Sequence, residues 1–161
     1  MRLKLPAAFL FLSLLSASSV AEEDGRLQAA AALEQRGEYA KAMALYQDLL
    51  PASGQPLLPW ERELAVREGM ANLLLRQRLF HEVGEVYRAG LARIQHEMEE
   101  APSPALARRG VDLALRLGDY PTAVRYSEAL LPETCGAEDR VWALEQRCVC
   151  YVRQGDWAGV K

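Results

Sequence analysis

The sequence predicts an all-α chain of stacked helical hairpins, a helical solenoid of about seven to eight helices with a truncated last hairpin. Three observations lead there. First, a short motif recurs: Gly37-Glu38-Tyr39 with Ala42 and Tyr46, then Gly118-Asp119-Tyr120 with Ala123, then Gly155-Asp156-Trp157. A degenerate copy, Leu79, Phe80, Val83 and Tyr87, lies between them. Second, the turn aromatics Tyr39, Phe80, Tyr120 and Trp157 follow one another at 41, 40 and 37 residues. Repetition at such a period marks arrays of helical hairpins, because one hairpin cannot bury both of its faces. Third, alanine, leucine, glutamate and arginine dominate, all good helix formers, and no stretch alternates long enough to argue for a sheet.

The chain opens on an expected export signal at residues 1–21. Arg2 and Lys4 form a basic start, Leu5 to Leu15 is almost wholly apolar, and Ser19-Val20-Ala21 fits a small-x-small cleavage site. The apolar run falls short of the roughly 18 residues a spanning helix needs, so removal after Ala21 is expected, leaving no stable membrane span. That places the protein outside the cytoplasm, in a bacterial periplasm or secreted.

The helical repeat domain then covers residues 22–161. The first repeat, 22–51, pairs an alanine-rich helix (Glu22 to Gln35) with Tyr39 to Leu50. Gly37 breaks the two apart, since glycine tolerates the left-handed backbone at a helix end. Ala42, Leu45, Tyr46 and Leu49 recur at three and four and share one face. Pro51, Gly54, Pro56 and Pro59 punctuate a loop. The second repeat, 60–100, holds helices at Trp60 to Arg76 and Leu79 to Glu99, with an acidic tail expected to reach past the stack. In the third, 103–132, Ser103 is placed as N-cap and Pro104 in the first turn. Its helices are Ala105 to Leu117 and Pro121 to Leu131, closed by Leu130, Leu131 and Pro132. The last, 138–161, has a helix at Glu138 to Gln154 and the start of another at Asp156. Its early stop suits the front part of a longer protein.

Composition narrows the function. Without the leader, 17 basic residues face 22 acidic ones, a poor balance for gripping phosphate, so no nucleic-acid partner is expected. The two histidines, His81 and His96, have no motif partner for nucleophilic catalysis. No phosphate-cradling glycine loop or CxxC occurs, so no enzyme, cofactor or metal is expected. Cys148 and Cys150 lie two apart on a helix and point apart, so they are not expected to bridge each other. Cys135 reaches either only if its loop folds back, and Cys148 is read as a small buried residue.

The Gly-Asp/Glu-Tyr turn, with Ala three residues later and an aromatic four further, resembles the tetratricopeptide repeat. Gly37, Tyr39, Ala42 and Tyr46 carry the likeness in one copy, and Gly118, Tyr120 and Ala123 in another. Ala30, Ala71, Val111 and Cys148 fall on that pattern's small position. The period is longer than the family's, Arg78 stands where the turn glycine is expected, Val83 replaces the alanine, and Ser127 replaces an aromatic. The resemblance implies a right-handed superhelix whose first helices line a concave groove.

Aligned on the turns, Gln35, Arg76, Arg116 and Arg153 share one position, and Ala31, Asn72, Asp112 and Val149 share another one turn earlier. The candidate partner-binding set is therefore Asn72, Arg76, Asp112, Arg116 and Arg153. The three arginines either form a ridge that pairs carboxylates or are ordinary cations at helix C-termini. Leu27 and Ala31 stand where the family's first-repeat carboxylate-clamp Lys and Asn would be, so that clamp is not expected. The function expected is a non-catalytic scaffold holding a protein or peptide partner in the cell envelope. The alternative is the periplasmic front end of an outer-membrane polysaccharide-export protein.

Overall fold

The computed structural model describes residues 22, 24–52, 58–156 and 159. Their regular structure is helical throughout: α1 (24–35), α2 (Tyr39–Leu49), α3 (Trp60–Arg76), α4 (Phe80–Glu100), α5 (Pro104–Leu117), α6 (Tyr120–Glu128) and α7 (Ala137–Gln154). No strand occurs among the described residues. The expected export signal, Trp157 and the start of an eighth helix lie outside them.

Two compact units divide the chain, Met1–Leu58 and Pro59–Lys161. In the first, α1 and α2 form a hairpin tied by an Arg26–Asp48 ion pair at 3.8 Å. Ala30, Ala42 and Tyr46 are buried. Burial pushes the Tyr46 phenol above its ordinary range, with the Glu34 charge acting the same way.

One turn geometry occurs four times. Gly37, Gly118 and Gly155 have φ of +78°, +71° and +72°, and Arg78 joins them at +60°. Each of these residues donates its N–H to the carbonyl three residues back, at 3.0–3.1 Å. The next residue donates five back: Glu38 to Leu33, Leu79 to Leu74, Asp119 to Ala114 and Asp156 to Tyr151, at 2.9–3.0 Å. This pair of bonds satisfies the last carbonyls of a helix and reverses the chain. In the first three copies the following helix then starts at once, as Ala42, Val83 and Ala123 donate to Glu38, Leu79 and Asp119. The degenerate second copy therefore keeps the turn without its glycine. An L-residue in that backbone carries a steric cost. Arg78→Gly is expected to stabilise the chain by about 0.5–1 kcal/mol, while Arg78→Ala, which keeps the Cβ, gains nothing. Urea denaturation midpoints check both.

In the second unit each helix from α3 to α6 packs on its successor, and α5 also meets α7. The core runs through their facing sides, with Leu64, Val83, Tyr87, Ile94, Val111, Leu113, Tyr126 and Cys150 buried in it. Gly90 lets α4 approach α3 and α5, since a Cβ there would stand 3.2 Å from Leu64 and 3.3 Å from Leu113. Ser103 caps α5 as expected, accepting from the Leu106 N–H at 3.3 Å, with Pro104 in the first turn. Asp119 does the same for Thr122 at the start of α6.

Three local expectations are corrected. The tail of α4 is packed as far as Met98 rather than projecting from Ile94 onward: Ile94 is fully buried and Met98 packs on the core, with Glu99 and Glu100 exposed at the end. The α6 helix ends at Glu128 rather than Leu131. Leu130 and Leu131 tighten to bonds three residues back, because Pro132 disfavours helical backbone just before it. Leu130 nonetheless stays fully buried against Ala107 and Ala143, so its closing role survives. Finally, Cys150 and not Cys148 is the buried thiol of α7. The Ala30, Ala71 and Val111 positions equivalent to Cys148 are all fully buried. No described element covers the same side of α7.

A buried ionic cluster, invisible as such in the sequence, joins α3 to α4. Glu63, 4 % exposed, accepts from Arg67 Nε and Nη2 at 2.9 and 2.6 Å and from Arg93 Nε at 3.1 Å. Arg93 also pairs with Glu97 one turn on.

Candidate functional site

The end of α3, the first turns of α4 and the end of α5 enclose an open groove of about 550 Å³. Leu75, Phe80, Val83, Gly84, Tyr87, Arg88, Arg116 and Leu117 line it. Its floor is apolar because Val83 and Tyr87 sit on the core-facing side of α4 at a spacing of four. Phe80 is 68 % exposed at its mouth, and Leu75 and Leu79 are exposed beside it. Phe80 is the one that departs among the turn aromatics described, since Tyr39 and Tyr120 are both half-buried.

Two guanidinium groups border the groove. Arg88 pairs with Glu85 on α4. Arg116 donates to the Tyr87 hydroxyl at 3.1 Å, its Cζ 5.4 Å from the ring centre. That bond holds the guanidinium firmly protonated. Arg116 is thus held at the groove's edge by Tyr87.

Beside the groove lies a charged strip between α3 and α5. Arg109 reaches across to Glu68 at 3.2 Å. Burial pushes the nearby Asp112 carboxyl up, against the pull of the Arg109 and Arg116 cations, and Glu68 adds to the rise. So Asp112 and Arg116, from the sequence-derived set, stand together in one electrostatic neighbourhood. Asn72 is exposed on α3, and Arg76 and Arg153 are exposed in the last turns of α3 and α7. Of the three arginines, the groove lining includes Arg116 alone.

Sequence reasoning did not place Leu75, Phe80 or Arg88 in a site. A signal existed. Leu79-Phe80 puts two large apolar residues at a turn whose first residue, Arg78, is itself polar and exposed. Periodicity placed Phe80 among the turn aromatics that define the repeat, and only the packing shows it open.

Among the described residues no group of three His, Cys, Asp or Glu side chains is gathered in a way that could hold a metal ion. No helix among them is long and apolar enough to cross a membrane. The chain matches no family model, no curated protein and no solved structure, so its placement rests on the helical fold and this groove.

Proposed function

We propose that the chain is a non-catalytic scaffold of the tetratricopeptide type, exported from the cytoplasm, that docks a segment of a protein partner. The repeated turn supports the solenoid reading, because the same backbone geometry recurs at Gly37, Arg78, Gly118 and Gly155. So does the packing of each helix on its successor from α3 to α6. The observation that carries the docking role is the groove at Phe80. An aromatic side chain left 68 % exposed over an apolar floor, with arginines at the rim, suits a peptide offering an apolar side chain next to a carboxylate. Exposed aromatic and arginine side chains are the residues that most often carry binding energy at such surfaces.

The experiment is a pull-down with the wild-type chain and two variants. Phe80→Ala, and Arg76→Glu combined with Arg116→Glu, are each expected to abolish capture of the partner that the wild type retains. Helicity by circular dichroism should stay intact. Undiminished capture by both variants removes this groove as the docking site.

A further inference from the structure

Arg88 lies in the groove in a posture that its neighbours explain. Gly84 stands one turn before it on α4 and has no side chain, and a long helical side chain leans back over that turn. The three atoms nearest to where a Gly84 Cβ would stand all belong to Arg88: Nη2 at 3.4 Å, Nη1 at 3.6 Å and Cζ at 3.7 Å. Three atoms so nearly equidistant mean that the flat guanidinium lies across the glycine rather than pointing one nitrogen at it. One of its faces is therefore taken by Gly84. Part of its edge is taken by Glu85, whose Oε1 accepts from Nη2 at 2.5 Å. The other face is open, since 53 % of the side chain is exposed. Arg108, Arg116, Arg125 and Arg147 lie over the rings of Trp142, Tyr87, Tyr126 and Tyr151. Among the described residues no ring lies over Arg88.

The two guanidinium groups of the groove are thus engaged differently. Arg116 turns to the Tyr87 ring and gives one N–H to a neutral hydroxyl. Glu68 and Asp112 act on it by charge without bonding to it. Its remaining N–H groups suit an incoming carboxylate. Arg88 already holds a carboxylate, and a second one at the same edge would meet the Glu85 charge. What Arg88 has left is a planar cationic face. Such a face attracts the electron-rich face of an aromatic ring. Phe80, one turn before Gly84 on the same side of α4, lines the groove with it.

We propose that the apolar side chain docked in the groove is aromatic, stacked on the open face of Arg88 beside Phe80, while the neighbouring carboxylate goes to Arg116. This rests on the groove being the docking site. The partner is then a protein segment with Trp, Tyr or Phe next to Asp or Glu. Stacking uses the face of a guanidinium and pairing uses its edge, so the Glu85 bond persists when the segment binds.

The test selects a random peptide library, displayed on phage, against the full chain. The best enriched sequence is then made with phenylalanine or with cyclohexylalanine at its anchor, two side chains of similar size of which the second has no π face. Calorimetric titration of the wild type is expected to show the phenylalanine form binding about fivefold tighter. Arg88→Leu should bind both forms equally, with helicity intact by circular dichroism. Changing the acidic residue of the peptide to its amide should weaken binding to the wild type and to Arg88→Leu, but not to Arg116→Gln. A library that yields no peptide dependent on Phe80, as judged with Phe80→Ala, overturns the docking reading and this inference with it. Peptides that need Phe80 but carry Leu, Ile or Val anchors leave the groove in place and overturn the stacking. So does a preference for phenylalanine that survives in Arg88→Leu, or an amide effect that survives in Arg116→Gln.

Discussion

Glu63→Ala is expected to cost about 3–5 kcal/mol, a large share of the stability of a domain this size. The cost comes from what is left behind. Arg93 has a side chain only 9 % exposed, and Glu63 is the carboxylate that meets it from α3. Without Glu63, that guanidinium stays buried and loses its carboxylate from α3, while Glu97 on its own helix remains. Arg67, at 20 % side-chain exposure, can still reach water and suffers less. Removing both sides together should be far milder, because burying apolar side chains in place of an ion pair avoids the desolvation penalty. Glu63→Met with Arg93→Met is therefore expected to recover most of the loss. Urea titration followed by circular dichroism measures both. A single-mutant loss below about 1 kcal/mol would mean that the cluster behaves as a solvated surface pair.

The second large effect falls on Gly110 of α5. In an open helix, Gly→Ala gains about 1 kcal/mol, because alanine loses less backbone freedom on folding. At Gly110 the sign reverses. A Cβ there would stand 2.7 Å from the ring carbons of Tyr126, well inside contact distance. Tyr126 is itself buried on α6 and cannot swing away into solvent. Overpacking of this kind typically costs 1–3 kcal/mol, so Gly110→Ala is expected to lose about that much and Gly110→Val more. Trimming the ring should relieve it: Tyr126→Leu on its own destabilises, yet combined with Gly110→Ala it costs less than the two losses added. Gly84 of α4 is the internal control. A Cβ there meets only the Arg88 guanidinium tip at 3.4 Å, so Gly84→Ala is expected to raise the denaturation midpoint.

These two sites show where the sequence was legible and where it was not. Glu63 and Arg67 are four residues apart, as are Arg93 and Glu97, and so are His81 and Glu85. In sequence all three look like solvated pairs on a helix face. Folding buries the first two against each other and leaves the third in water. Nothing within either helix distinguishes them, because burial depends on which turn of α3 crosses which turn of α4. The candidate site was read in part for the same reason. Arg116 was located by counting back from its turn, but its partner Tyr87 lies 29 residues away. Phe80 matched the repeat's aromatic position and was still left open.

What the sequence determined by itself is the set of helices and the reversals between them. Those depend on hydrogen bonds spanning five residues or fewer, on glycine's freedom at +70° or so, and on caps such as Ser103 and Asp119, all supplied by immediate neighbours. The tertiary structure decided which side of each helix is shut. Cys148 lies outside and Cys150 inside, although they are two residues apart on one helix. A side chain becomes core only when another helix arrives to cover it, and that arrival is settled by packing between distant segments.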